Sequence, residues 1–175
     1  MKKKLTPSIF YYLYKKDRIN HSRLSSLATP KRTYDALDWF RDASKMSTES
    51  LSKHLNTPDS ITLAVGAQVI LTKNLATDIG LVNGSRGVVI GFEKLNVAME
   101  QQQWASNELY ARSDPNELLP IVQFVSKIMP RIIGRVEFEV SENGGKTKIA
   151  SRCAIPLKLA WVKQQKNVKF LDEIF

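Results

Sequence analysis

The hydrophobic period of this chain switches once, near Ile61, and that switch constrains the fold more than any other feature. From there apolar residues alternate or run in short blocks: Ile61-Thr62-Leu63-Ala64-Val65, then Ala67-Gln68-Val69-Ile70-Leu71 after Gly66. A period of two marks strands with one wet face, and short apolar blocks between turn residues mark buried strands. Leu81-Val82-Asn83-Gly84 leads into Gly87-Val88-Val89-Ile90-Gly91-Phe92. Asn-Gly tolerates positive φ at both centres of a tight turn, so a hairpin is predicted there. Residues 120–125 and 135–140 read as further strands, and Asn143-Gly144-Gly145 turns the chain into 146–150. Residues 155–162 form the last strand-like run, while 94–119 read as a polar loop broken by Asp114-Pro115. Several short strands with turns between them predict a small barrel or rolled sheet.

Before Ile61 the signals are helical. Ile9, Leu13, Ile19, Leu24 and Leu27 give a loose stripe over 8–27, with Ser8 after Pro7 as its cap and Thr29-Pro30 as its end. A second, polar helix is predicted over 47–55, with Ser47 as N-cap and Glu49 in the first turn, where its charge suits the helix dipole. The expected fold class is α+β: a helical N-terminal part followed by a small antiparallel barrel-like β domain. The expected divisions are 1–60, 61–162 and a divergent basic tail over 163–175.

Charge narrows the partner. The net charge is +9, and it sits at the two ends of the sequence, with an acidic excess over 59–120. Clustered Lys and Arg favour a polyphosphate, because neutralising phosphates releases condensed counterions. The alternative is a basic surface that serves only solubility. The single cysteine, Cys153, allows no intramolecular disulfide and suits a reducing compartment, where it reads as a small buried apolar residue. No apolar run approaches the roughly 20 residues of a membrane helix. The basic start lacks a full apolar segment and a cleavage site, so the chain reads as mature, intracellular protein without a membrane partner.

The motifs of stand-alone enzymes are missing. Gly145-Lys146-Thr147 lacks the glycine that a phosphate loop needs five residues earlier, where Val140 stands, and strand rather than helix follows it. A hairpin turn is the better reading. His21 and His54 have no second ligand at metal spacing, and Asp35 and Asp38 read as a solvated pair rather than an acid–base dyad. No catalytic residue, metal site, cofactor or small-molecule substrate is expected in this chain. The glycines at 66, 80, 84 and 87 mark bends and close backbone approaches, with Lys73 and Asn74 at one strand's end and Arg86 just after the turn. Gathered on one rim, these three would meet phosphates or bases, with Lys158 as a further candidate contact. Against that stands a purely structural role, in which Asn74 and Asn83 satisfy loop backbone. Tyr11, Tyr12 and Tyr14 are read as packing before base stacking.

The run Val65-Gly66-Ala67-Gln68-Val69-Ile70-Leu71-Thr72-Lys73-Asn74-Leu75, with Gly80-Leu81-Val82-Asn83-Gly84-Ser85-Arg86-Gly87-Val88-Val89 behind it, closely resembles the accessory region of the PIF-type (petite integration frequency) DNA helicases of superfamily one. Arg18-Ile19-Asn20 with Arg23-Leu24, then Tyr34-Asp35-Ala36-Leu37-Asp38, are similar to family segments upstream. Pro120-Ile121-Val122-Gln123-Phe124 and Arg152-Cys153-Ala154-Ile155-Pro156-Leu157-Lys158-Leu159-Ala160-Trp161 are similar to segments downstream. The resemblance covers about residues 18–161. It implies a 2B-type accessory region joined to part of the second motor domain, which would supply residues 1–60.

The resemblance also implies 5′-to-3′ unwinding of single-stranded or forked DNA by the complete helicase, in replication, recombination, repair and telomere maintenance, in nucleus or mitochondrion. ATP and Mg²⁺ serve the complete family member. The family's phosphate loop and its Ile-His-Lys-Ser-Gln-Gly motif have no counterpart in this sequence. The chain is therefore expected to be a DNA-binding fragment without its own ATP hydrolysis, with the missing motor domains as partners. A protein-interaction module and a non-functional remnant are the alternatives, the latter because the last strand lacks its usual continuation and leaves a sheet edge open.

Overall fold

A computed structural model describes residues 7–42, 44, 46–55, 57–94, 114, 116–125 and 129–161, with the side chains of 7–14 and 16 outside that description. Helix α1 runs Pro7–Ser26. Proline suits a first helical position, since its missing N–H is one the helix start leaves unbonded. Asn20 and Leu24 are the buried residues among its described side chains. Helix α2, Thr48–His54, starts at Ser47, whose hydroxyl accepts from Ser50 N, and it buries Leu51 completely. No described helix is long and apolar enough to cross a membrane.

The helical N-terminal part is not what the chain builds. Between α1 and α2 lie two strands, β1 (Arg32–Asp35) and β2 (Leu37–Phe40). β1 pairs antiparallel with β3 (Ser60–Leu63), setting Tyr34 opposite Ile61, and β2 pairs with β9 (Thr147–Ala154), setting Asp38 opposite Arg152. Thr33, Tyr34, Trp39 and Phe40 fit a pleated, half-buried surface, and their partners arrive from far along the sequence. Strand outweighs helix among the described residues.

The barrel-like β domain is the second correction. The described strands form three open sheets. The largest adds β4 (Gln68–Leu71), β5 (Arg86–Lys94), β6 (Leu118–Phe124), β7 (Arg131–Ile132) and β10 (Leu157–Leu159), in the order β10-β4-β5-β6-β7. Its order ends at β10 on one side and β7 on the other, and these two described strands are not paired, so the sheet does not complete a ring. The third sheet has the order β2-β9-β8, with β8 at Val136–Glu142.

Asn83-Gly84 makes a turn of a different kind from the predicted hairpin. Gly84 has φ 100° whereas Asn83 is not among the positive-φ residues, and Ser85 N donates to Val82 O, which is the type II pattern. The turn closes an excursion over 72–82 and returns the chain to the end of β4, where Gly84 N donates to Leu71 O and Leu71 N to Ser85 O. The main core lies beneath the five-stranded sheet and joins Leu24, Tyr34, Leu63, Val69, Val89 and Phe124. A smaller cluster holds Val136, Phe138 and Ala154.

Candidate nucleic-acid interface

The outer face of the five-stranded sheet follows from its alternation. In β4, Val69 and Leu71 are buried while Gln68 and Ile70 face out, and in β5, Gly87 and Val89 are buried while Arg86, Val88 and Ile90 face out. Directly opposed residues of antiparallel strands share a face. The register sets Lys158 opposite Ile70 and Ile70 opposite Arg86, and in the next row Gln68 opposite Val88 and Val88 opposite Gln123. One row is cation–apolar–cation and the other amide–apolar–amide. Neither contains an acid. Arg86 reaches across β4, where its Nη2 donates to Ala160 O at 2.8 Å, which fixes the guanidinium over the sheet. Half-buried Ile70 lies between the two cations, and further along β5 on the same face Val88 is 38% exposed and Ile90 48%.

Lys73 and Asn74 lie elsewhere, at the start of the excursion after β4. The Lys73 ammonium donates to Glu137 O and stands 5.2 Å from the centre of the Phe138 ring, which directs it toward β8. Asn74 Oδ1 accepts from Asn83 N at 2.7 Å, so this side chain braces the loop backbone. Of the four residues picked from sequence, the register brings Arg86 and Lys158 together and leads Lys73 toward another sheet. Gln68, Val88, Ile90 and Gln123 were missed. Gln68 and Gln123 interrupt apolar runs, whereas Val88 and Ile90 sit in a continuous apolar run with no local sign of facing out, and the adjacency of all four depends on pairings between distant strands.

The remaining sequence candidates resolve as structure. Asn143, Gly144 and Gly145 have φ of 54°, 67° and 89° and join β8 to β9, so Gly145-Lys146-Thr147 sits in and after a hairpin turn. Asp38 is not a solvated carboxylate: it pairs with Arg152, which is wholly buried. Asp35 contributes its carbonyl to Arg135, whose guanidinium also holds Glu117, and the Glu117 hydrogen bond raises the Arg135 pKa. Cys153 is half-buried. Lys148 lies 5.3 Å from the Trp39 ring centre and bonds Glu137, and that hydrogen bond raises its pKa. The described residues contain no group of three side chains fit for a metal ion. The side chains of Tyr11, Tyr12 and Tyr14, most of the expected loop over 94–119, and the tail over 163–175 lie outside the described residues.

Residues 48–92 match the family model described as DNA helicase Pif1, 2B domain. The chain is 33% identical over 142 residues to the ATP-dependent DNA helicase PIF1 of Xenopus laevis and 30% identical over 142 residues to that of Homo sapiens. Each alignment covers 81% of this chain and 18% of the relative, so the chain spans under a fifth of these proteins' length. Among solved structures, the Pif1 helicase from Candida albicans superposes with a TM-score of 0.68 at 27% identity, over 85% of this chain and 33% of that one. A Bacteroides Pif1 bound to single-stranded DNA gives 0.54 at 19% identity, over 85% of this chain and 28% of that one, which shows likeness of fold alone.

Proposed function

We propose that this chain, whose residues 48–92 match a Pif1-type 2B domain and which resembles Pif1 helicases over 81% of its length, is the DNA-handling accessory portion of such a helicase. The observation that carries the reading is the outward row Lys158–Ile70–Arg86, which has no acid in it. Two cations separated by one strand suit phosphates of single-stranded DNA, and the exposed apolar residues beside the row, Val88 and Ile90, suit unstacked bases. Lys73 and Asn74 remain secondary contacts in this proposal, reached by DNA that runs past the end of β4.

Motor domains of the Pif1 type would supply ATP binding, Mg²⁺ and 5′-to-3′ movement, and we infer that this chain alone turns over no ATP. Its one Gly-Lys-Thr run turns a hairpin, with no helix behind it to hold a phosphate. The parent family's work in replication, recombination, repair and telomere maintenance, and its nuclear or mitochondrial setting, come to this chain as part of the proposal. Fluorescence anisotropy with a labelled oligonucleotide tests the binding reading: affinity should fall steeply between low and moderate salt. Absence of binding at low salt ends it.

One observation favours a second reading, a protein-interaction module. Edge strand β2 exposes Leu37 at 63% and Trp39 at 49%, a pair of large apolar side chains that a partner would cover.

A further inference from the structure

The edge strands of the described sheets differ in what they show to solvent. β8, one edge of the third sheet, carries Glu137 and Glu139, and β1 shows Arg32, Thr33 and Asp35. Charged and polar side chains of this kind keep an edge from pairing with another chain. β2, the opposite edge of the third sheet, is the one described edge strand with exposed large apolar side chains, Leu37 and Trp39. Two residues apart, they share a face, while Asp38 between them turns inward to Arg152.

The chain carries +9 overall, yet acids stand at both ends of this strand, where Asp35 and Asp42 are exposed. The nearby cations are engaged. Arg41 lies 3.8 Å from Glu142, Lys148 bonds Glu137 and lies 3.4 Å from Glu139, and Arg135 is held by Glu117 through two hydrogen bonds. Lys148 also stands over the Trp39 ring, 5.3 Å from its centre. A phosphate backbone is disfavoured beside exposed carboxylates, in contrast to the acid-free row Lys158–Ile70–Arg86 on the other sheet. Lysine or arginine on a partner is favoured there.

We infer that β2 receives an extended segment of a protein partner as a further strand, apolar side chains against Leu37 and Trp39 and Lys or Arg at its ends. In strand addition the backbone ladder supplies affinity, and alternate side chains supply specificity. This rests on the protein-interaction reading above and names the partner's chemistry; the DNA reading is independent of it, because Arg86 and Lys158 lie on another sheet.

The test presents the full chain with two labelled peptides sharing a Val-Thr-Val-Thr-Val centre, one with Lys-Lys at each end and one with Glu-Glu, and with a single-stranded oligonucleotide. The lysine peptide should slow amide exchange within Leu37–Phe40 and bind about tenfold more tightly than the glutamate peptide. Leu37→Ser combined with Trp39→Ser, shown to be folded by circular dichroism, should weaken the lysine peptide about tenfold and leave oligonucleotide affinity unchanged. Should that variant not fold, exchange in the wild-type chain decides the matter. Protection of β2 by both peptides alike overturns the basic partner and leaves the protein-interaction reading standing. Protection by neither removes both. Protection of β2 by the oligonucleotide makes the strand a nucleic-acid surface and also overturns the proposal, as does a folded double variant that binds the lysine peptide like wild type.

Discussion

Arg152 and Asp38, 114 residues apart, form a bidentate pair inside the molecule, Nε to Oδ1 and Nη2 to Oδ2, each at 2.7 Å. Arg152 is wholly buried, and its Nη1 also donates to Ser52 Oγ at 2.9 Å and Thr57 O at 3.3 Å. The Asp38 hydrogen bond raises the arginine's pKa and holds the charge in place against the cost of burial. One side chain therefore ties β9 to β2 and to α2. Removing a single member of a buried pair strands the other charge, whereas removing both does not. Asp38→Ala should cost about 3–5 kcal/mol in urea unfolding, and Asp38→Leu combined with Arg152→Met should recover much of that loss. An unchanged midpoint for Asp38→Ala would contradict the role given to the pair.

Tyr34 is buried, its hydroxyl donates to Leu118 O, and burial pushes its phenol well above the ordinary value of about 10. The folded state thus favours the protonated phenol. Its contribution is intact below pH about 10 and drains away as pH rises from there toward the higher folded value. Tyr34→Phe should cost about 1 kcal/mol near neutral pH through the lost hydrogen bond, and should flatten the fall in stability above pH about 10. Parallel slopes for the two proteins in alkaline urea titrations would remove this account.

Gly87 is the close-approach glycine of the fold. A Cβ placed there would lie 2.5 Å from Val122 Cγ1 and 2.8 Å from Gln123 O. The carbonyl belongs to the β5–β6 ladder and cannot retreat without breaking pairing. Gly87→Ala should therefore destabilise by about 1–3 kcal/mol in thermal unfolding, while Gly91→Ala, whose nearest neighbour would be Ile121 Cδ1 at 3.5 Å, should cost much less.

Arg86→Ala with Lys158→Ala should weaken single-stranded DNA binding and reduce the salt slope by about 1.4, at roughly 0.7 per phosphate contact on a single strand. Lys73→Ala added to Arg86→Ala should weaken binding less, because Lys73 is drawn toward Glu137 and Phe138. A salt titration in which the Arg86/Lys158 double variant keeps the wild-type slope would dismiss the row as a phosphate track.

What could be read from sequence was whatever a local signal specifies. The Ser47 cap, the helix over α1 (though Ser8 lies inside it and not at its cap), the strand at β4, the alternation of β8, and the Asn143–Gly145 turn all depend on neighbours within a few residues. β1 and β2 were illegible because their justification lies in β3 and β9; Thr33 meets Thr62, and Asp38 meets Arg152, only after the chain has folded back. Asp38 looked solvated for the same reason. The interface divides along the same line. Arg86 and Lys158 stood out as candidates on charge and position, but their adjacency comes from β10 lying beside β4, which no spacing between them encodes. Lys73 was correctly placed at the end of β4, yet the direction of its side chain is set by β8.

The order β10-β4-β5 has a consequence for synthesis on the ribosome. β4 and β5 are translated early, whereas the strand that covers β4's other side, Leu157–Leu159, comes long afterward. At about 5–20 residues per second, the nascent chain carries that exposed ladder for on the order of several seconds. During that window neighbouring nascent chains on one message can pair through it, so yield in the cell should depend on translation speed and chaperone supply as much as on the stability of the finished protein.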